Sequence, residues 1–452
     1  MPLLAAYVRE NLDYILVRDN ARQSLQKYVY ENGVYKLCAD EMFKGYIKSF
    51  VEDYDPELVR MKQINEVFQN IITDTNYISE DKLNSNELVI NFENGLLSLT
   101  KQSVFLTPHF PEVYSTIQIP CNWSDDPKPT PVFDSYLDTL TNGDEGVKNL
   151  LLQYMGACFS NVKGYRMKKA LFLTGDGDTG KSQLKSLVER ILGRGNFIGI
   201  DLREIESRFG TGAIYGKRLA GSSDMSFMSV TELKAFKKIT GGDSLFAEFK
   251  GQQGFEYTYG GMLWFCMNRL PKFGGDDGEW VYDRIMVVDC KNVIPKDRQD
   301  RTLCDQMYAE REGIIHKAVK AFLKVIKNGW VFDEPEAVTS ARKSYIAKNN
   351  TVISFFNECM RKREGDKIRD NATTAKIYRV YKAWCAENNN GYAKSAREFR
   401  EELAAYLKTD IEEMRRKSQG FYYYANYTLT TEAKMEFKRV YGYDTLSDDY
   451  SN

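Results

Sequence analysis

At 452 residues, with 43% hydrophobic and 28% charged side chains, the chain is long enough for about two to four domains and apolar enough to give them cores. It has no apolar run near the ~18 residues of a membrane helix, and its start, MPLLAAYVRENLDYILVRDN, carries charge too early for a signal sequence. Its 8 cysteines are scattered and only 2 histidines are present, which excludes a local zinc spacing and leaves a soluble, cytoplasmic protein with reduced thiols and no membrane partner as the expectation.

The net charge of −1 hides a segregation. Between Arg342 and Gly420 there are 18 Lys and Arg against 11 Asp and Glu, whereas the tail beyond Thr431 is acidic.

Residues 1–125 mix helix-period stretches with strand-like pieces and read as an α+β N-terminal domain. Within them, ELVINFENGLLSLTKQSVFL reads as a strand pair punctuated by Asn94-Gly95. DDPKPTPVF (Asp125–Phe133), with three prolines in a polar stretch, is the best linker in the chain and closes this domain. Two helical segments follow, Phe133–Leu140 and Val147–Phe159.

LFLTGDGDTGKS then carries the strongest local signal. Gly175, four residues, and Gly180-Lys181-Ser182 fit the phosphate-loop spacing G-x-x-x-x-G-K-[ST], with a buried strand before it and a helix, Gln183–Leu192, after it. Backbone N–H groups of Gly175, Asp176, Gly177, Asp178, Thr179 and Gly180 would turn toward a polyphosphate at the positive end of the helix. Lys181 would reach the β- and γ-phosphates of ATP and the Ser182 hydroxyl would ligate Mg²⁺. From here to about Asp289 strands and helices alternate, as in an α/β nucleotide-binding domain, placed at residues 126–332.

Three later residues complete a candidate site. GKRLAGSSD offers a weak strand ending at Asp224, which could hold Mg²⁺ through water and polarise an attacking water, or be a plain surface aspartate. GGMLWFCMN ends a buried strand at Asn268, where an amide could meet the γ-phosphate or simply terminate the strand. YDRIMVVD presents Arg284 before another apolar strand, where a guanidinium could serve a neighbouring subunit's nucleotide or be a plain surface arginine, the commoner role.

After the amphipathic EREGIIHKAVKAFLKVIKNGW, residues 333–452 turn basic. TTAKIYRVYKAWCAENN and KSAREFREELAAYLKT read as two helices, and EEMRRKSQGFYYYANYTL as a strand pair broken at Ser418-Gln419-Gly420. That is the outline of a winged-helix domain, with Arg397 and Arg400 on the second helix and Arg415, Arg416 and Lys417 on the wing, all facing DNA. The alternative is a solvated basic bundle used for protein contacts.

The ordered set GDGDTGKS, RLAGSSD, KKITGGD, FKGQQGFEY, WFCMNRLP and YDRIMVV resembles the superfamily-three helicases, and most of all the phage, plasmid and mobile-island primase–helicases that share a core with the poxvirus helicase. INFENGLLSL and LLQYMGACFS extend the likeness upstream, and EREGIIHKAV and PEAVTSARKSYIAKNNTVISFFNEC downstream, so it covers roughly residues 85–360.

The resemblance implies an AAA+ core that assembles into a ring, a hexamer, with ATP between subunits. It assigns Lys181 and Ser182 to Walker A, Asp224 to Walker B, Asn268 to sensor 1 and Arg284 to the trans-acting finger. It places FKGQQGF on a hairpin in the central channel, with Lys250 gripping the DNA backbone. Lys237, before KITGGD, is a second basic candidate near the site or channel, or equally a solvated helix lysine. The chain departs from the family pattern where Met225 and Ser226 follow Asp224 in place of a second acid, so that Glu232 competes to orient the water. It departs again where Asp283 precedes Arg284, and in having no polymerising domain in its first 125 residues.

The reading is an ATP-driven DNA helicase that starts or sustains replication of a phage, plasmid or genomic island, in the cytoplasm of a bacterial host. Its partners would be single-stranded DNA, an origin duplex, further copies of itself and a separate primase or polymerase. The rival is an origin-binding initiator whose ATPase drives assembly without processive unwinding. A small-molecule phosphotransferase would need neither the hairpin lysine, the trans arginine nor the basic end.

Overall fold

The computed structural model describes residues 2–19, 24–74, 76–227, 229–230, 233–251, 253–273, 279–363, 367–387 and 393–434. The chain divides into two compact units, one of Met1–Ser226, Lys234–Arg269 and Arg284–Val338, the other of Phe227–Leu233, Leu270–Asp283 and Thr339–Asn452.

In the first unit α1 (Pro2–Asn11), β1 (Tyr14–Asp19), β2 (Ser24–Glu31), β3 (Val34–Cys38), α2 (Asp40–Tyr54), α3 (Met61–Ile72) and β4 (Ile78–Ser79) come first. β1, β2 and β3 pair antiparallel and β4 joins β1 in parallel. The helices bury one stripe each: Phe43, Ile47 and Val51 on α2 meet Ile64, Val67, Phe68 and Ile71 on α3, with Leu4 and Val8 of α1.

β5 (Val89–Phe92), β6 (Gly95–Leu99) and β7 (Val104–Thr107) form an antiparallel sheet, so the strand pair expected around Asn94-Gly95 is present with a third strand beside it. The Asn94 amide pins the turn to Trp123, donating to its carbonyl at 2.9 Å and accepting from its N–H at 2.9 Å. The proline-rich stretch Asp125–Phe133 lies inside this unit. Pro131 opens α4 (Pro131–Thr141), and the Glu310 carboxylate accepts the N–H groups of Val132 and Phe133 at 3.0 and 2.9 Å, satisfying donors the first turn leaves unpaired.

α5 (Glu145–Phe159), β8 (Ala170–Thr174), α6 (Lys181–Leu192), β9 (Phe197–Gly199), α7 (Leu202–Ile205), α8 (Gly210–Ala213) and β10 (Leu219–Gly221) follow. After β11 (Ser229–Val230) come α9 (Lys234–Gly241), the strands β12 (Leu245–Ala247) and β13 (Phe255–Tyr257), and β14 (Met262–Met267). After β15 (Lys272–Phe273) and α10 (Glu279–Asp283) come β16 (Ile285–Asp289), α11 (Leu303–Ala309) and α12 (Arg311–Lys327).

Five strands make one parallel sheet in the order β16-β8-β14-β10-β9. ALFLT and MLWFCM are apolar along almost their whole length because both faces are covered, and every residue of β8 and β14 is buried. Leu171, Leu173, Trp264 and Met286 of the sheet share one core with Tyr154 of α5, Leu184 of α6 and Ile315 and Phe322 of α12.

Arg218 is a charged side chain buried inside this packing. Arg218 is 7% exposed and donates to the carbonyls of Ala157 (2.6 Å), Cys158 (3.2 Å), Val162 (2.6 Å) and Gly260 (2.9 Å). Its guanidinium satisfies the last carbonyls of α5 at the negative end of that helix, which is how a buried cation is tolerated without an acid.

In the second unit β11 and β15 pair in parallel, and Phe273, Tyr282 and Tyr345 stack edge-on. α13 (Glu336–Asn349) is followed by α14 (Thr351–Cys359), β17 (Met360–Lys362), α15 (Thr374–Glu387), α16 (Ala396–Leu407), α17 (Ile411–Met414), β18 (Arg415–Ser418), β19 (Phe421–Tyr424) and β20 (Tyr427–Leu429). β18 pairs with β19 and β17 with β20, both antiparallel. Gln419 and Gly420 have φ of 48° and 87°, the two positive values a type I′ hairpin turn needs. Phe355, Tyr381, Trp384, Phe399 and Leu403 core the helices against Tyr424 and Leu429. Mixed α/β with a central parallel sheet is therefore the fold class. Among the described residues no helix is long and apolar enough to cross a membrane.

Candidate nucleotide site and hairpin

The parallel register brings three loops to one edge of the sheet. Met267 pairs with Thr174, so Asn268 stands level with Gly175, and Met225 bridges Met267, which puts Asp224 beside them on the next strand over. Gly175 is required there: its φ is +145° and a Cβ would lie 2.1 Å from the Cys290 carbonyl oxygen.

Lys181, the first residue of α6, is 5% exposed. Its ammonium donates to the carbonyls of Gly175 (3.0 Å) and Asp176 (2.8 Å) and to Asn268 Oδ1 (3.0 Å). The loop is thus closed around its own lysine and tied to β14. The Ser182 hydroxyl donates to the Ser223 carbonyl at 2.7 Å, one residue from Asp224, which is exposed. Lys181, Ser182, Asp224 and Asn268 therefore meet at one place.

The loop is braced from both sides. Tyr136 of α4 donates its hydroxyl to the Gly180 carbonyl at 2.9 Å, and the Ile294 N–H donates to the Asp178 carbonyl at 2.8 Å. Burial pushes the neighbouring Cys266 and Cys290 thiols up to about 12, which keeps them neutral and makes them packing groups. Neither Tyr136 nor Ile294 carries a motif, and sequence reasoning missed both.

Arg284 is not part of this cluster. It precedes β16, whose Ile285 pairs with Ala170, so it lies at the other end of the five-residue strand β8, roughly 17 Å along the strand from the loop. There its guanidinium donates to the Lys237 carbonyl (2.9 Å) and the Thr240 hydroxyl (2.8 Å) of α9. Lys237 itself has an exposed side chain.

α9 runs within a few residues into the antiparallel β12–β13 pair, in which Leu245, Phe246 and Ala247 face Tyr257, Glu256 and Phe255. The two strands therefore form a hairpin, and past β12 Lys250 is exposed beside Gly251, whose φ is +77°. Its base packs as an aromatic cluster of Tyr215, Phe249, Phe255 and Tyr257. Arg208 forms a two-point ion pair with Glu248 at the same base. Glu232 lies outside the described residues.

In the second unit Arg397 and Arg415 have local partners. Arg397 on α16 pairs with Glu401 at 2.8 Å and is 82% exposed at the side chain, while Arg400 is half-buried. Arg415 on β18 donates to Glu412 at 3.2 Å and sits 4.9 Å over the Tyr422 ring. Arg416 and Lys417 are exposed on the same strand.

Three families match the chain by sequence. Residues 20–142 match one described as "D5 N terminal like", residues 173–284 a family of unknown function (DUF5906), and residues 347–440 one described as "Poxvirus D5 protein-like". No curated protein matches it. Among solved structures, an A-form apo structure of the NrS-1 C-terminal region is 12% identical and covers 75% of this chain and 73% of that one, at a TM-score of 0.48. A second apo structure of that region is 14% identical, covers 94% and 98%, and has a TM-score of 0.47. Nothing about this chain's chemistry follows from a likeness at that level.

Proposed function

The chain is a member of the D5-like primase–helicase family, and on that premise we propose that it is an ATP-driven, ring-forming DNA helicase that starts or sustains replication of a phage, plasmid or genomic island. The observation that carries this reading is the hydrogen bond from Lys181 to Asn268 Oδ1 at 3.0 Å. It joins the phosphate loop to the strand lying between β8 and the strand that leads to Asp224, an order that supports an AAA+ core.

The residues present fit ATP and Mg²⁺. The loop already folds its carbonyls around an ammonium at the N-terminus of α6, and the Ser182 hydroxyl and Asp224 flank the same opening. Ser182 would hold Mg²⁺ directly and Asp224 through water, and the ion would neutralise phosphate charge. Lys181 would exchange its loop carbonyls for phosphate oxygens while Asn268 positions the γ-phosphate side. Arg284, far from its own loop, would serve the loop of a second copy, so each complete site takes residues from two subunits. Lys250 follows backbone phosphates of any sequence.

The helix–strand–helix–helix–helix–hairpin order from α14 to β19 supports a winged-helix reading of the C-terminal part, with α16 and β18 toward an origin duplex.

ATP turnover with and without single-stranded DNA, alongside strand displacement, tests the proposal. A DNA-stimulated rate with unwinding is expected. Turnover without unwinding would leave an assembly-driven initiator, and a rate indifferent to DNA would overturn the motor.

A further inference from the structure

We infer that Glu206 and Arg208 are positioning residues that lock α9 and the β12–β13 hairpin into one lever, so that displacement of Arg284 is delivered to Lys250. The inference rests on the roles proposed above for Arg284 and Lys250.

The short segment between α7 and β10 touches both parts of that lever. Glu206 places its two carboxylate oxygens on the N–H groups of Ala235 (2.9 Å) and Phe236 (2.8 Å), in the first turn of α9, where backbone donors lack partners and negative charge is favoured. Two residues on, Arg208 grips Glu248 with two nitrogens at the end of β12. Thr211 adds a hydroxyl bond to the Phe246 carbonyl at 2.9 Å, and Tyr257 of β13 donates to the Thr211 carbonyl.

The far part of α9 carries Arg284 on Lys237 and Thr240, and β12 begins at Leu245. A helix joined to a hairpin only through Gly242 and two further residues would flex at the glycine, whose φ is +81°. The clamp removes that freedom by holding the start of the helix and the base of the hairpin on one segment. The Arg208–Glu248 pair is strongly exposed on the arginine side, at 76%, so it adds little to stability. Its geometric role is therefore separable from folding.

The test compares Arg208→Ala, Glu206→Gln, the double variant R208E/E248R and Lys250→Ala in the full-length assembly. The readouts are base pairs unwound per ATP hydrolysed, basal turnover, KM for ATP and melting temperature. For Arg208→Ala the expected result is basal turnover, KM and melting temperature at wild-type values, with unwinding per ATP lowered about 2- to 30-fold, the range such coupling energies correspond to. Glu206→Gln leaves one carbonyl acceptor for two N–H groups and gives a smaller loss in the same direction. R208E/E248R restores at least part of the loss.

Wild-type coupling in Arg208→Ala, with Lys250→Ala uncoupled, overturns the inference while leaving the hairpin reading intact. Wild-type coupling in both variants removes the hairpin from DNA and the inference with it. A loss that the swapped pair does not recover assigns the effect to the Arg208 contact over the Phe209 ring, 5.3 Å away, and overturns the clamp.

Discussion

Lys181 and Lys250 each stand beside a glycine with positive φ, +86° at Gly180 and +77° at Gly251, yet the fold treats them in opposite ways. Lys181 is 5% exposed, bonded to two loop carbonyls and an amide, and set on a helix packed against the core of a parallel sheet. Lys250 is exposed at the turn of a two-stranded hairpin that rests on an aromatic base. A lysine held this way by fixed partners is pre-positioned for one anion in one place. A lysine on an exposed turn contacts phosphates without regard to sequence. The contrast teaches that glycine next to lysine is a motif with two meanings, and that burial decides between them.

The largest effect that could break the contrast is at the enclosed lysine. Lys181→Ala should reduce ATP turnover to background and abolish unwinding, with the circular dichroism of a folded protein. Unwinding near the wild-type rate would mean that the enclosed lysine serves only the loop.

Arg284→Ala sharpens the comparison by asking whether the enclosed site is complete in one chain. Turnover should fall by roughly 10³–10⁵, with nucleotide affinity changed far less. Mixing Arg284→Ala with Lys181→Ala subunits should recover some hydrolysis, because some interfaces then join two intact halves. No recovery in confirmed mixed rings would contradict a shared site.

The basic C-terminal residues extend the contrast to the second unit, where Arg397 has an ion-pair partner and Arg416 and Lys417 are exposed. Arg416→Ala and Lys417→Ala should weaken binding to every duplex alike and flatten the salt dependence by about one unit of slope per lost phosphate contact. Arg397→Ala and Arg400→Ala should relax sequence preference, by about tenfold per good bidentate contact. Glu401→Gln gives the smallest change, a modest gain in duplex affinity, because it releases Arg397 from its ion pair. Competition between origin and random duplex at several salt concentrations reads all of these.

What was legible in the sequence was whatever is written in local spacing. Gly175 to Ser182 encodes its loop because backbone sterics demand glycine there, and the apolar runs of β8, β14 and β16 encode strands covered on both faces. The hairpin around Lys250 was legible only through the family resemblance, which places FKGQQGF there. The order of the strands was not, since β14 comes to lie between β8 and β10 through packing that no local pattern records. Nor were the contacts of Arg208, Glu206 and Arg218, single charged residues whose partners lie far away in the chain and have no period to betray them. The sequence also places a boundary at Asp333, whereas the Asp333 carboxylate accepts from the Gln153 amide at 2.6 Å and residues to Val338 group with the first unit.

The most direct measurement of the two-lysine account is steady-state ATP turnover of the wild-type protein and Lys250→Ala, each titrated with single-stranded DNA. The account predicts that DNA raises wild-type turnover to a plateau and that the variant shows no rise over the same range. An equal rise in both proteins would contradict it.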